Sequence, residues 1–293
     1  MSMRFTLAAG SCAASWYVPL ARAAEAAGWD AVCVPDELFH HRRTSAPYPY
    51  TADGSLPWGP ETPFLDPWAL IATMAGATER IGFYPSVLKL AVRDPLLVAK
   101  QLSSCAVLSG ERVALGVGLS PTPEDFEVLG REWTRRGPRT AEMIEIIRGL
   151  LAGGMYEYHG HFHDFPPLQI APVPARPVPI YIGGFAEPVL RRVARLGDGY
   201  IGWENPLCDF AQLAASIRRV EGYRGDYGRR SGDFEYKFMP RAADADTCAQ
   251  LADIGVTDMI CAPWLAAHGP AAGLATRLDA IARFADAVIA PAR

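Results

Sequence analysis

Eight short apolar runs alternate with longer helix-like segments along almost the whole chain. Each run is apolar on both faces, which is typical of a parallel strand buried between layers of helices. Because strands that alternate with helices form a parallel sheet, the repeat predicts an α/β fold. The predicted strands are Phe5–Ala8, Ala31–Val34, Ile81–Val87, Val113–Val117, Ile180–Ile182, Gly199–Ile201, Glu235–Met239 and Asp258–Cys261.

Helix signals lie in the segments between these runs. Asp66 and Asp94 each precede a proline, and an aspartate cap followed by proline at the first helical position is typical of a helix start. Asp246 is expected to cap a later helix. Gly28 and Gly255 are expected to end helices shortly before the next strand.

A parallel sheet of this kind is either open and doubly wound or closed into a barrel. A doubly wound sheet that binds a dinucleotide usually carries GxGxxG after its first strand, and neither Ala9–Cys12 nor Gly116–Gly118 has that motif. Eight strand–helix units in 293 residues favour a closed (β/α)8 TIM barrel with insertions. We therefore predict one domain over residues 1–293, with its chemistry at the C-terminal ends of the strands.

Two segments interrupt the alternation. Tyr156–Ile170 predicts a hairpin that turns at Gly160 and packs outside the barrel. The other segment is longer. Residues 37–65 follow the second predicted strand, are rich in Pro, Tyr and Trp, and carry no helix or strand signal. A loop this long in a compact domain is usually a lid or a binding loop, and the alternative is a surface insertion. Its place after a strand end favours a loop over the mouth of the active site.

Charge and apolar patterning exclude several classes of protein. The net charge is −4, with 28 basic and 32 acidic side chains, and the basic residues form no stripe that would bind nucleic acid. Arg191, Arg192 and Arg195 have helical spacing and predict a solvated helix face. Since no apolar run reaches the ~18 residues of a membrane span, we expect no membrane association. Phe5–Cys12 is too short and small-residue for a signal peptide and predicts a strand.

The metal-binding residue types show no ligand pattern. Six scattered cysteines without a CxxC pair indicate buried thiols in a reducing cytoplasm. His159, His161 and His163 alternate as on one face of a strand, but a turn at Gly160 would separate them. We therefore expect no metal, and the chain also lacks GxSxG, P-loop and HExxH motifs.

Three predicted strand ends carry candidate chemistry. Asp36-Glu37 with His40 and His41 is either an acid/base or cofactor-polarising cluster, or a loop in which Asp36 binds backbone amides. Pro85 removes a ladder donor and predicts a bulge aimed at a ligand, or else a plain strand terminus. Gly183-Gly184 before a helix offers free amides to an anion, or else makes a tight turn.

The chain resembles the luciferase-like family of flavin and deazaflavin oxidoreductases, and in particular its branch that uses the deazaflavin coenzyme F420. The resemblance covers nearly the whole chain, and it depends on the order and spacing of segments that are weak singly. Those segments are Ala26–Asp36, Ala77–Ile81, Arg93–Gln101, Leu108–Gly118, Pro179–Gly184 and Leu190–Tyr200.

The resemblance implies a (β/α)8 barrel that binds the cofactor ring at its C-terminal mouth. It implies a non-proline cis peptide against the ring, which corresponds here to Ser86-Val87. It also makes the turn of Gly183, Gly184, Phe185 and Ala186 the contact for the phosphate and ribityl chain, and places Asp36 beside the cofactor.

Two departures from the family pattern concern catalysis. Family members commonly have Asp-His after the second strand, whereas this chain has Asp36-Glu37, so Glu37 or His40 is expected to be the catalytic proton donor. After the fourth strand the family often has Gly-x-Gly-x-Gly-Trp or a catalytic Glu, and the nearest carboxylates here are Glu124 and Asp125.

The expected function is an F420-dependent oxidoreductase that moves a hydride between the cofactor and a small-molecule substrate. The alternatives are an FMN-dependent monooxygenase that uses reduced flavin and oxygen, and a flavin-binding protein without catalysis. The resemblance also implies a homodimer. The aromatic residues of the 37–65 loop are expected to shape the substrate pocket, namely Tyr48, Tyr50, Trp58 and Phe64.

Overall fold

Nine parallel strands form a nearly closed barrel in the computed structural model, which describes residues 3–293. The first two residues of the predicted domain lie outside that range. The order around the barrel is β3-β2-β1-β11-β10-β9-β8-β5-β4, and β6 and β7 form a separate antiparallel hairpin. The strands are β1 (Arg4–Ala8), β2 (Ala31–Val34), β3 (Gly82–Pro85), β4 (Leu88–Lys89), β5 (Leu115–Gly118), β6 (Tyr156–His159), β7 (Asp164–Leu168), β8 (Ile180–Gly183), β9 (Gly199–Trp203), β10 (Glu235–Met239) and β11 (Asp258–Cys261).

Helices follow the barrel strands and pack against the outside of the barrel, as a (β/α)8 fold requires. All eight predicted strands are present, so the predicted fold class is confirmed. The helices are α1 (Tyr17–Ala26), α2 (Pro67–Ala75), α3 (Pro95–Leu108), α4 (Pro123–Val128), α5 (Arg136–Leu151), α6 (Glu187–Leu196), α7 (Phe210–Asp226), α8 (Ala245–Asp253), α9 (Leu265–His268) and α10 (Leu274–Phe284).

The third predicted strand is divided into two. β3 stops at Pro85, the Ser86-Val87 peptide bond is cis, and β4 then pairs with β5. β3 itself meets the chain before β5 at one bridge, where the Phe83 amide donates to Arg112 O at 2.8 Å. The interruption expected from Pro85 is therefore present, and the cis peptide is where the resemblance implies.

The helix ends follow the sequence signals with one exception. The carboxylate of Asp66 accepts from two amides at 2.9 and 3.0 Å, and that of Asp94 accepts from two at 2.9 and 3.2 Å. Gly28 and Gly255 end helices at φ values of 81° and 93°. The prediction for Asp246 is wrong: α8 begins earlier, so Asp246 lies inside its first turn and Asp244 accepts the Thr247 amide at 2.8 Å.

The N-terminal end of the barrel is closed by a buried ionic cluster. Lys237 is 3% exposed, and its Nζ lies 2.6 Å from Glu235 and 2.5 Å from Asp258. Tyr181 donates its hydroxyl to Glu235 at 2.8 Å, and Thr6 donates to Asp258 at 3.0 Å. Because chemistry in this fold lies at the opposite end, we assign this cluster to stability.

The two insertions lie outside the barrel ladder. Residues 37–65 form no helix or strand and cover the C-terminal mouth. In the β6–β7 hairpin His159 contacts Asp164, His161 contacts Arg135, and His163 contacts Glu142. These three imidazoles therefore have separate partners, and within residues 3–293 no cluster of metal-ligating side chains was found. In the same range no helix has the length and apolarity to cross a membrane.

Candidate active site

A cavity of about 610 Å³ opens at the C-terminal ends of β2, β4, β5 and β8. Loop 37–65 forms its outer wall, and the four aromatic residues predicted to shape a substrate pocket all line it. The predicted cofactor contacts line the same cavity, namely Asp36, Ser86, Val87, Gly183, Gly184, Phe185 and Ala186.

The aromatic residues of the loop pack edge to face in a continuous row. Tyr48 has its ring centroid 5.2 Å from that of Tyr50 and 5.4 Å from that of Trp58, which is 5.5 Å from Phe64. Tyr50 extends the row to Trp203 on β9 at 4.6 Å. Burial raises the pKa of both tyrosines, so they stay neutral at physiological pH. The row gives the cavity a rigid and largely apolar wall.

A buried group of charged side chains forms the floor near β2 and β4. The carboxylate of Glu37 contacts Lys89 Nζ, which lies 2.8 Å from Asp125 Oδ2. Asp125 also accepts from Ser120 Oγ at 2.7 Å, and its Oδ1 is 2.9 Å from Nε2 of His41. Glu37 and Lys89 line the cavity, while His41 lies on the loop beside it. We call these four residues, Glu37, Lys89, Asp125 and His41, the Lys89 network.

The carboxyl groups of Glu37 and Asp125 have pKa values shifted in opposite directions because their surroundings differ. Burial raises the pKa of Glu37, and the charge of Lys89 opposes that rise only in part. For Asp125 the effect of burial is outweighed by Lys89 and by hydrogen bonds from Ser120 and His41, which hold its pKa below the ordinary value. Two carboxyls with pKa values moved in opposite directions are typical of acid/base sites.

The side chain of Asp36 is engaged by the protein itself. One oxygen accepts the Lys89 amide at 2.8 Å, and the carboxylate pairs with Arg93 at 2.7 Å. Asp36 therefore fixes β4 against β2. Of the two alternatives for this strand end, this contact matches the one in which Asp36 binds backbone amides.

His40 does not reach the cavity. Leu38 packs on the apolar cluster of Val92 and Phe126, which directs His41 towards Asp125 and leaves His40 exposed. Of the two residues predicted as proton donors, the structure brings only Glu37 into the cavity.

Glycines make room beside the cis peptide. A Cβ on Gly118 would lie 2.5 Å from Val87 Cγ2, and one on Gly183 would lie 3.2 Å from Val87 Cγ1. Gly184 has φ +131°, which favours glycine, and α6 begins three residues later. This turn offers free amides and the positive end of a helix to an anionic group.

Two arginines that the sequence analysis missed lie close to each other near the start of α5. Arg136 lines the cavity, stacks on Trp133 at 3.5 Å, and leaves its buried Nε without a hydrogen-bond partner. Arg192 packs against the start of α5, where a Cβ on Gly137 would lie 2.5 Å from Nη2. Among residues 3–293 neither guanidinium has a carboxylate within 4 Å. Arg136 therefore places an uncompensated positive charge in the cavity wall, and the charge of Arg192 lies behind it.

The prediction of a solvated face for Arg191, Arg192 and Arg195 is wrong for the middle residue. Arg191 and Arg195 are exposed and pair with Glu187 and Glu145. Arg192 lies on the side of α6 that packs against α5, and burial, with the nearby charges of Arg195 and Arg136, lowers its pKa to about 10. Lys89 was also missed, although it is one of only three lysines in a chain of 25 arginines.

A model of the luciferase-like monooxygenase family matches residues 8–253. A protein of Mycobacterium tuberculosis without a characterised function is 41% identical over 258 residues, 88% of each chain. The F420-dependent glucose-6-phosphate dehydrogenase of Amycolatopsis mediterranei is 33% identical over 158 residues, 52% of this chain and 47% of that protein.

Solved structures share the fold at low sequence identity. The coenzyme F420-dependent tetrahydromethanopterin reductase of Methanopyrus kandleri superposes with a TM-score of 0.77 at 14% identity over 100% of both chains. The monooxygenase RslO1 of Streptomyces bottropensis superposes with a TM-score of 0.75 at 16% identity over 99% of both.

Proposed function

Since the chain belongs to the luciferase-like monooxygenase family, we propose that it is an F420-dependent oxidoreductase acting on a small organic substrate. Relatives named F420-dependent glucose-6-phosphate dehydrogenase, at 33% and 30% identity over part of the chain, support the choice of cofactor. The structural observation that carries it is the unpaired guanidinium of Arg136 in the cavity wall, with the charge of Arg192 nearby.

The cavity near Arg136 suits an elongated anionic tail. F420 ends in a phosphodiester followed by glutamates, whereas FMN ends in one phosphate. Arg136 and Arg192 have no carboxylate partner among residues 3–293, and Arg131 and Arg135, close to Arg136 in the sequence, are exposed. Several guanidiniums in sequence match several anionic groups better than they match one.

The remaining cavity residues fit the ring system of such a cofactor. Glycines at 118, 183 and 184 let the backbone pack closely against Val87 and Val189 in the cavity wall, so these positions add no side chain of their own to the wall. Bound there, the deazaflavin would supply or accept the hydride of the reaction. The residues that would hold it are Ser86, Val87, Gly183, Gly184, Phe185 and Ala186.

Glu37 is the proposed proton donor or acceptor at its carboxyl oxygens. Its raised pKa brings it closer to neutral pH than a free glutamate, which suits general acid catalysis. Lys89 positions that carboxyl, and Asp125 with His41 continues the contacts towards the loop surface. The aromatic row above excludes water from the substrate space.

FMN-dependent monooxygenase activity is the second candidate, because the same turn and arginines can bind a single phosphate. A titration of the purified protein with F420 and FMN side by side, followed by fluorescence, tests both. We expect tight binding of F420 and weak binding of FMN. The reverse result favours the monooxygenase, and binding of neither favours a protein without this chemistry.

A further inference from the structure

A second cavity of about 350 Å³ lies at the ends of β1, β10 and β11. Pro35, Trp58 and Ser86 line both cavities, so the two cavities share a wall. The rest of its wall is mainly apolar, formed by Met239, Ile260, Ala262, Trp264, Leu265 and Pro270.

One charged side chain lines this apolar cavity. Arg277 of α10 is 2% exposed, and its guanidinium lies 5.3 Å from the ring centroid of Trp16 and 4.8 Å from that of Trp264. Its Nε donates to Ala272 O at 2.9 Å and its Nη2 donates to Pro270 O at 2.8 Å. Nη1 is buried and has no hydrogen-bond partner.

The positive charge of Arg277 is not compensated. Within residues 3–293 no carboxylate lies within 4 Å of it, whereas the two buried lysines, Lys89 and Lys237, contact carboxylates. A buried charge without a counterion is costly, and carbonyl oxygens and aromatic rings offset only part of that cost. An anion in the cavity would supply the missing counterion and a hydrogen-bond acceptor for Nη1. A carboxylate matches the edge of a guanidinium in geometry and charge.

We propose that the second cavity binds the carboxylate of an organic acid with an apolar body, through Arg277. The apolar wall takes the body of the acid, and the shared wall at Trp58 and Ser86 places it beside the first cavity. That this acid is the substrate rests on the proposed function, whereas its binding does not.

The test compares acids with their neutral amides by isothermal titration calorimetry. Acetate, hexanoate and phenylacetate are each measured against acetamide, hexanamide and phenylacetamide. We expect the wild-type protein to prefer hexanoate and phenylacetate over their amides by about tenfold or more, since a charge-assisted contact is lost in the amide. Equal binding of acid and amide, or no binding of any probe, would overturn the proposal.

Two variants locate the site. Arg277→Gln should remove the preference for the acids, and Ala262→Leu should weaken both acid and amide by filling the cavity while Arg277 remains. A preference that persists in Arg277→Gln would overturn the assignment even if the wild-type result is as expected. The wild-type comparison needs no variant, so it stands even if Arg277→Gln does not fold.

Titration of the same samples with F420 separates this inference from the proposed function. Acid preference without F420 binding would support the second cavity and refute the proposed cofactor. If F420 binds but acids and amides bind equally well, the proposed cofactor is supported and the proposal for the second cavity is refuted. Unchanged F420 affinity in Arg277→Gln is the result expected if Arg277 serves the organic acid and not the cofactor.

Discussion

Replacing Lys89 by methionine tests whether the buried ammonium of Lys89 stabilises the carboxylates of the Lys89 network. Methionine keeps most of the side-chain volume and removes the ammonium that lies between Glu37 and Asp125. The lysine side chain is 9% exposed, so solvent screens these contacts poorly. The change therefore leaves two carboxylates close together without their common cation.

The expected cost follows from what each carboxylate retains. Removing one partner of a buried ion pair destabilises a protein by about 3–5 kcal/mol. Asp125 keeps its contacts with Ser120 and His41, so we expect a value near the lower limit, about 3 kcal/mol. For a protein of this size that corresponds to a melting temperature lower by roughly 5 °C.

The loss of stability should depend on pH. In the wild-type protein the lowered pKa of Asp125 adds stability that is present above its unfolded-state pKa and lost as the pH falls. In the variant both carboxyls lose the charge of Lys89 that lowers their pKa, so the folded variant binds more protons than the folded wild-type protein above the ordinary carboxyl range. The stability of the variant relative to wild type therefore falls as the pH rises, and the difference widens between about pH 5 and pH 8.

Urea unfolding followed by tryptophan fluorescence at both pH values measures this difference, provided that the m-values agree. Lys100→Met is the matched control, because Lys100 is exposed and its Nζ contacts the Ala171 carbonyl oxygen and no carboxylate in residues 3–293. We expect the control to stay within about 0.5 kcal/mol of wild type. If the free energy of unfolding of Lys89→Met is also within about 0.5 kcal/mol of wild type at both pH values, the buried ion pair is refuted.

Three further predictions concern activity, cofactor affinity and helix stability. Glu37→Gln should lower turnover by roughly 10²–10⁴ with unchanged cofactor affinity; steady-state kinetics with unchanged turnover would remove Glu37 from the mechanism. Arg136→Gln should weaken F420 binding roughly 10–100-fold in a fluorescence titration, whereas the exposed Arg131→Gln should not; equal effects would count against a specific contact. Asp94→Ala should lower the free energy of unfolding by about 1 kcal/mol through its lost cap, with the exposed Asp233→Ala as the control, and no difference between them would contradict that role.

The fold follows from the sequence because its determinants are local. A strand buried on both faces is a continuous apolar run, and an aspartate before a proline marks a helix start, so Ala31–Val34 and the cap at Asp94 could be placed from neighbouring residues alone. The error at Asp246 has the same origin, since a choice between two aspartates two residues apart depends on where α8 packs.

The site could be predicted only where its residues follow a strand end. Glu37 and the Gly183-Gly184 turn have that signal, whereas Lys89, Asp125 and Arg136 come together through contacts between distant parts of the chain. Glu37 and Lys89 are 52 positions apart, and no pattern around either names the other. A signal was nevertheless available, because a lysine within an apolar run in an arginine-rich chain is unusual.

The small number of lysines gives the protein a simple response to amine-reactive labels. Of its three lysine side chains, Lys100 is exposed, whereas Lys89 and Lys237 are buried beside carboxylates. A short pulse of such a reagent should therefore modify Lys100 first among the lysines. Slow modification at Lys89, read by mass spectrometry, would then report how often the mouth of the barrel opens, and occupancy of the cavity should slow it further.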